Sequence, residues 1–156
     1  MVSTRINEPV SPAIPKHPHD MPEEVLQRML GSVSQPELLR ALVETSRRAF
    51  GFFNRNTHMV LYYLWIAQHL EYLGPGGRVL DIGAGVCPVP LWLASRGHNV
   101  DCVDNSPMIR TLPPTTDWDE WGFFDYGLLD RNISAYHCGI NAFRPTTVYD
   151  PVYSIG

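Results

Sequence analysis

The chain has 156 residues, carries a formal net charge of −4 and is 44% hydrophobic. A chain of this length and composition buries a substantial core, which favours one globular domain over a disordered protein. The acidic balance and the absence of any run of Lys or Arg argue against a nucleic-acid partner.

Residues 1–21 predict a flexible, proline-rich tail. Proline at high density neither donates backbone hydrogen bonds nor propagates a helix, and this stretch contains Pro9, Pro12, Pro15 and Pro18. No charged region followed by an apolar core marks a signal peptide, which favours a cytoplasmic protein. Asp20 and Glu23 then resemble a capping box for a short helix that runs to about Leu30.

Residues 22–74 predict a helical layer. Pro36 opens an amphipathic helix whose apolar face consists of Leu38, Leu39, Leu42, Val43 and Phe50. A second helix, from about Asn56 to Leu73, has one stripe made of Met59, Tyr62, Tyr63, Ile66 and Leu70, while Leu61, Leu64 and Trp65 cover much of the rest. This pattern predicts a helix that is buried on most sides. Its longest apolar run is about half of the ~20 residues that span a bilayer, so we expect no membrane partner.

The stretch from Arg78 to Gly97 predicts a strand, a glycine turn and a helix in direct succession. The strand covers Arg78 to Ile82, and Gly83 and Gly85 let the backbone turn sharply, so a cofactor can approach it closely. Asp81 stands two residues before the first glycine. An acid at the carboxyl end of the strand suits a cationic ligand.

A second strand within His98 to Met108 ends at Asp104, about twenty positions after the glycine turn, as in nucleotide-binding βαβ units. A carboxylate at that point can accept hydrogen bonds from both hydroxyls of a ribose.

Asp81, Gly83, Gly85 and Asp104 together resemble the cofactor-binding part of class I S-adenosylmethionine-dependent methyltransferases. The resemblance implies an α/β fold with a Rossmann-like parallel sheet, S-adenosylmethionine as cofactor and a small-molecule methyl acceptor. It implies no metal and names no catalytic base. The cofactor-binding residues that it implies are Asp81, Gly83, Ala84, Gly85, Asp104, Asn105, Met108, Asn141 and Ala142. The family often has a third glycine where this chain has Cys87, and Asn141 stands near the position of its adenine-binding acid.

Two other functions are compatible with a glycine turn. A nicotinamide-binding oxidoreductase would need glycine three residues after Gly85, where this chain has Pro88, and Asp81 would repel its pyrophosphate. A non-catalytic module that binds S-adenosylmethionine or has a regulatory role is the other alternative. The three cysteines are too scattered for a disulfide framework or a zinc site and predict reduced thiols; for Cys87 we favour packing over a nucleophilic role.

The stretch after Asp104 is predicted less clearly. Ser106 and Pro107 could begin a helix that Pro113 and Pro114 would stop within two turns. The next segment is rich in aromatic and acidic residues, which predicts a wall of the ligand site or, as we favour, a cap over the sheet edge. Its aromatic residues are Trp118, Trp121, Phe123, Phe124 and Tyr126. A strand over Ile133 to His137 follows.

The strand within Val152 to Ile155 resembles the fourth strand of the family's sheet. The resemblance then implies that residues 75–156 are an incomplete half domain, truncated after about the fourth strand, and that this chain alone is inactive. An apolar strand with an unpaired edge pairs readily with another edge, so we expect self-association through it.

Overall fold

The computed structural model describes residues 16–155, which form a mixed α/β fold with four helices and a four-stranded parallel sheet. The helices are α1 (Glu23–Leu30), α2 (Pro36–Phe50), α3 (Thr57–Leu70) and α4 (Val89–Ser95). The strands are β1 (Arg78–Ile82), β2 (Asn99–Asp104), β3 (Ile109–Arg110), β4 (Phe123–Phe124), β5 (Ile133–His137) and β6 (Val152–Ser154). The predicted α/β class, the parallel sheet and the N-terminal helical layer are confirmed.

The main sheet has the strand order β5-β2-β1-β6, and every neighbouring pair is parallel. The chain runs outward from β1 through β2 to β5, and then returns to place β6 on the other side of β1. In open α/β sheets, ligands bind where the strand order reverses, in the crevice beyond the carboxyl ends of the strands. In this chain that crevice lies beyond β1 and β6.

Local sequence signals set the ends of the helices. Pro36 occupies the first turn of α2, where its missing N–H costs nothing, and Gly51 ends the helix in a left-handed conformation with φ of 83°. At the start of α4 the Cys87 thiol accepts a hydrogen bond from the backbone N–H of Val89 at 3.4 Å. That contact satisfies one of the free N–H groups of the first turn.

The helices and one face of the sheet share the larger hydrophobic core. Val79, Val100 and Cys102 of the sheet belong to it together with the buried faces of all four helices. The opposite face of the sheet has a smaller cluster in which Leu80 and Val103 pack with Phe143. The helical layer therefore covers one face of the sheet.

The predicted capping box at the start of α1 is wrong. Pro22 occupies the cap position without a side-chain hydrogen bond, and Asp20 accepts bonds from the Phe53 N–H at 2.8 Å and from Arg47 Nε at 3.0 Å. Met21 is fully buried, so the ordered chain begins before the predicted end of the tail at residue 21. Residues 1–15, the greater part of that predicted tail, lie outside the described residues.

Helix α3 is shorter and more exposed than its composition predicts. It ends at Leu70, and Tyr62 and Trp65 each keep 57% of their surface accessible. Apolar residues all around a helix predict burial only if other elements pack on every side. The other described elements cover the side of α3 that carries Val60, Leu64 and Ala67. The side that carries Tyr62 and Trp65 stays open to solvent.

No helix follows β2, which corrects the prediction of one beginning at Ser106 and Pro107. The Ser106 N–H donates to the Asp104 carboxylate at 2.7 Å, and this bond holds a turn instead. The short strands β3 and β4 then pair in parallel. Aromatic residues, rather than the predicted helix, cover this part of the core. Four of them pack around Phe50 of α2: Phe52, Trp118, Phe124 and Tyr126.

Within the described residues, β6 pairs with β1 alone and lies at an edge of the sheet. Val152 at its start is 54% exposed. Self-association through this edge stays a prediction. None of the helices in residues 16–155 has the length and apolar character needed to cross a membrane.

Candidate cofactor site

The turn after β1 lies at the bottom of a cavity of about 310 Å³. Gly83 and Gly85 have φ of 74° and 56°, a conformation that residues with a Cβ rarely adopt. The cavity is lined by residues from this turn, from the end of β2, from α3 and from the segment before β4, namely Met59, Tyr63, Gly83, Ala84, Gly85, Val86, Cys87, Asp104, Ser106, Glu120, Trp121, Gly122 and Ile155. The glycine turn therefore presents bare backbone to a ligand-sized space.

Asp104 joins the end of β2 to the glycine turn. Its Oδ2 accepts a hydrogen bond from the Gly85 N–H at 2.9 Å, and its Oδ1 accepts one from the Ser106 N–H at 2.7 Å. The carboxylate is half-buried and lines the cavity. A carboxylate oxygen has two lone-pair sites, so each oxygen can accept a further bond from a ligand.

Asp81 is a buried carboxylate with one oxygen unused. Its Oδ2 accepts a hydrogen bond from the Tyr153 hydroxyl at 2.8 Å, while Oδ1 has no partner among the described residues. The pKa of Asp81 is raised from 3.8 to about 7, mainly by burial; the Tyr153 hydrogen bond opposes this rise and the Asp104 charge adds to it. A cationic ligand beside Oδ1 would stabilise the charged form of this carboxyl group.

Tyr126 holds the glycine turn in place through hydrogen bonds to its backbone. Its fully buried hydroxyl donates to the Gly85 carbonyl at 2.8 Å and accepts from the Cys87 N–H at 2.8 Å. Burial also raises the pKa of the Cys87 thiol well above its ordinary value, so the thiol stays protonated and packs in the core.

We expect Tyr126→Phe to lower the free energy of unfolding by about 2–3 kcal/mol, because the Gly85 carbonyl and the Cys87 N–H lose a buried partner. Urea unfolding measures the change. Tyr72→Phe is the matched control, since Tyr72 is 78% exposed. Equal stability of the two variants would contradict the anchoring role.

The cavity is acidic. Asp104 and Glu120 line it, Asp81 is buried two positions before Gly83 of the turn, and no Lys or Arg of residues 16–155 is part of its lining. Glu120 and Trp121 come from the turn before β4. Gly122 shapes that turn with φ of 105°, and a Cβ there would lie 2.8 Å from the Met108 carbonyl oxygen.

The structure brings together only part of the residue set that the family resemblance implies. Gly83, Ala84, Gly85 and Asp104 line one cavity, with Asp81 buried next to them. The others are exposed and outside the lining: Asn105 and Met108 follow β2, and Asn141 and Ala142 stand in a turn after β5.

Sequence reasoning missed the two residues that position the acid and the turn, Tyr153 and Tyr126, and it missed the contribution of Glu120 to the cavity. The aromatic and acidic segment predicted either a wall of the ligand site or, as we favoured, a cap over the sheet edge, and in the structure one part of it lines the cavity while another packs in the core. Residues 120–122 line the cavity, while Trp118 and Phe124 are buried in the core. Within the described residues, no group of three His, Cys, Asp or Glu side chains is arranged to hold a metal ion.

No family model and no curated protein matches this sequence. Among solved structures, the crystal structure of coclaurine N-methyltransferase bound to N-methylheliamine and SAH is similar to this chain, with a TM-score of 0.44 and 14% sequence identity. The match covers 84% of this chain and 40% of that chain, so this chain spans less than half the length of that protein. A likeness this distant carries no argument about function.

Proposed function

We propose that this chain binds S-adenosylmethionine and forms the cofactor-binding part of a small-molecule methyltransferase. The observation that carries the proposal is the buried Asp81 Oδ1, an acceptor without a partner among the described residues, two positions before the glycine turn of a cavity whose charged lining residues are the acids Asp104 and Glu120. A buried carboxylate is costly unless it is paired. The ammonium and sulfonium groups of S-adenosylmethionine supply the positive charge that this site lacks.

The other groups of the cofactor also find complementary residues. Asp104 would accept hydrogen bonds from the ribose hydroxyls, and the glycine turn would allow close approach of the backbone. The bound cofactor supplies an electrophilic methyl group, and the chain's own residues bind and orient it. Orientation of two reactants is by itself a large part of the acceleration of such a transfer.

The hydrogen bonds of the turn disfavour a dinucleotide. A pyrophosphate binds to free backbone N–H groups at the start of the helix. Here the Gly85 N–H donates to Asp104, the Cys87 N–H to Tyr126 and the Val89 N–H to the Cys87 thiol. Together with the acids of the lining, these three occupied donors disfavour the binding of a pyrophosphate at the turn.

Isothermal titration calorimetry with S-adenosylhomocysteine and with NAD⁺ tests the proposal. We expect saturable binding of S-adenosylhomocysteine and no binding of NAD⁺ at the same concentration. Binding of NAD⁺ alone would contradict the proposal and indicate a nicotinamide site. Binding of neither ligand would contradict the proposal that the cavity is a cofactor site.

Asp104→Ala should raise the Kd of S-adenosylhomocysteine about 10- to 100-fold, because hydrogen bonds to a charged group contribute about 1.5–3 kcal/mol. From the sequence we expect an effect on binding much larger than the effect on folding. The structure adds a cost to folding, since the Gly85 and Ser106 N–H groups lose their acceptor. The free energy of unfolding should therefore fall as well, by about 1–3 kcal/mol.

Calorimetry and urea unfolding of the same sample separate the two effects of Asp104→Ala. Asp150→Ala, which removes an exposed acid outside the cavity, is the control and should change neither quantity. An unchanged Kd in a folded Asp104→Ala variant would exclude Asp104 from the cofactor site.

A further inference from the structure

A second concavity adjoins the cofactor cavity at the crevice beyond β6. It has a volume of about 550 Å³ and lies between the open side of α3 and the end of β6, where it is lined by Leu61, Tyr62, Trp65, Ile66, Ser154 and Ile155. The volume is within the range of ~300–1,000 Å³ that is usual for small-molecule sites.

Two features connect this concavity to the cofactor cavity. Ile155 lines both. Helix α3 also contributes to both, with Met59 and Tyr63 on the cofactor side and Tyr62 and Ile66 on the other. Residues three and four apart lie next to each other on a helix surface, so a ligand on Tyr62 lies within about one helical turn, ~5.4 Å, of the cofactor cavity's wall.

The lining is mainly apolar and uncharged, and it includes two exposed aromatic side chains. Tyr62 and Trp65 are each 57% exposed, and the Trp65 ring packs against His69 with its centroid 4.1 Å away. No side chain of the lining carries a charge, and the polar groups are limited to hydroxyls and one indole N–H. Aromatic faces of this kind attract another ring in offset or edge-to-face contact.

We propose that this concavity is the acceptor site and that the methyl acceptor is an uncharged aromatic small molecule. The inference rests on the proposed function, because a ligand bound here can accept a methyl group only if S-adenosylmethionine is bound in the adjoining cavity. The shared wall at Ile155 puts the acceptor beside the cofactor, which is the arrangement that direct transfer requires. In such a transfer the acceptor's nucleophilic atom forms a bond to the methyl carbon while the bond from sulfur to that carbon breaks. S-adenosylhomocysteine is the leaving group, and the proton of the acceptor passes to water.

The proposal can be tested with 2-naphthol as an uncharged aromatic probe, by equilibrium dialysis against the protein with and without S-adenosylhomocysteine. We expect saturable binding of 2-naphthol. Decahydro-2-naphthol, its saturated counterpart, should bind more weakly, and the anion 2-naphthoate should not bind. Tyr62→Ala and Trp65→Ala should each weaken 2-naphthol binding about tenfold. All variants should keep the wild-type affinity for S-adenosylhomocysteine.

Tyr72→Ala is the matched control, because Tyr72 is an exposed aromatic residue outside the concavity. Absence of 2-naphthol binding in a protein that binds S-adenosylhomocysteine, or equal binding after both substitutions, would overturn the proposal. A dimer that Trp65→Ala dissociates and that excludes 2-naphthol would assign the surface to a second copy and would also overturn it. A protein that binds 2-naphthol but shows no affinity for S-adenosylhomocysteine would refute the proposed function and the acceptor role, and would leave only a site for an uncharged aromatic ligand.

Discussion

Asp81→Asn should raise the Kd of S-adenosylhomocysteine at least about 100-fold, since it removes the negative charge that would pair with the ligand's ammonium group. Breaking a buried ion pair by neutralising one partner costs about 3–5 kcal/mol, of which burial of the remaining charge is a part. Tyr153 can still donate its hydroxyl to the amide oxygen of the variant. The change therefore tests the charge rather than the packing.

The same variant should gain stability relative to the wild type as the pH rises. The folded-state pKa of Asp81 is about 7 against an ordinary value of 3.8, so the folded protein holds this proton over a window in which the unfolded chain has lost it. Stability falls with rising pH in that window. The difference between the two pKa values corresponds to a loss of at most about 4 kcal/mol in the free energy of unfolding between pH 4 and pH 8. The Asp81→Asn variant should not show this loss.

Cofactor binding should follow the opposite trend, because the ammonium group favours the charged carboxylate. Wild-type affinity for S-adenosylhomocysteine should decline from pH 8 to pH 5, whereas the affinity of Asp81→Asn should be low and flat across that range. Calorimetry at four or five pH values, together with thermal unfolding, measures both trends. A Kd within threefold of the wild type, or parallel pH profiles, would show that Asp81 does not face the ligand.

Gly83→Val should abolish measurable binding of S-adenosylhomocysteine. Gly83 lines the cavity, and its φ of 74° belongs to a region that β-branched residues avoid. A Cβ at this position would lie 3.9 Å from the Ser154 hydroxyl oxygen, so the local space is adequate and the folding cost comes from the backbone. That cost is about 1–3 kcal/mol, and the branched methyl groups would occupy ligand space.

Gly76→Val is the control for this experiment. Gly76 has φ of 87°, has open space around its Cβ position and lies outside the cavity lining. Both variants should lose similar stability in thermal unfolding, and only Gly83→Val should lose binding. Normal affinity of Gly83→Val, or equal losses of affinity in the two variants, would show that the turn is not the floor of a cofactor site.

Asp81 has opposite effects on the stability of the free protein and on the proposed binding of a cation. The carboxylate lies in the core, 1% exposed, with one hydrogen bond for its two oxygens. Such a group destabilises the free protein at neutral pH and becomes favourable once a cation binds. If the cofactor proposal holds, ligand binding should also raise the melting temperature more strongly at pH 8 than at pH 5.

Short-range signals in the sequence determined most of the secondary structure. The limits of β1 and β5 were predicted to the residue, because a run of strand-forming residues ends at glycine or another turn signal in each case. Pro36 and Gly51 likewise mark the two ends of α2. The spacing of Gly83, Gly85 and Asp104 predicted that they lie close together, since the βαβ connection brings the ends of neighbouring parallel strands to one edge of the sheet.

The contacts that give the site its chemistry were decided by the tertiary structure alone. Tyr153 bonds Asp81 across 72 positions of sequence, and Tyr126 bonds Gly85 across 41. Hydrophobic periodicity predicted that α3 is buried on most sides, but it could not tell which side the other elements would cover. The local pattern after Asp104 predicted a helix, whereas packing of Trp118 and Phe124 against Phe50 replaced it. Sequence determines local conformation through backbone and side-chain sterics, while partners and exposure depend on which distant surfaces the folded chain brings together.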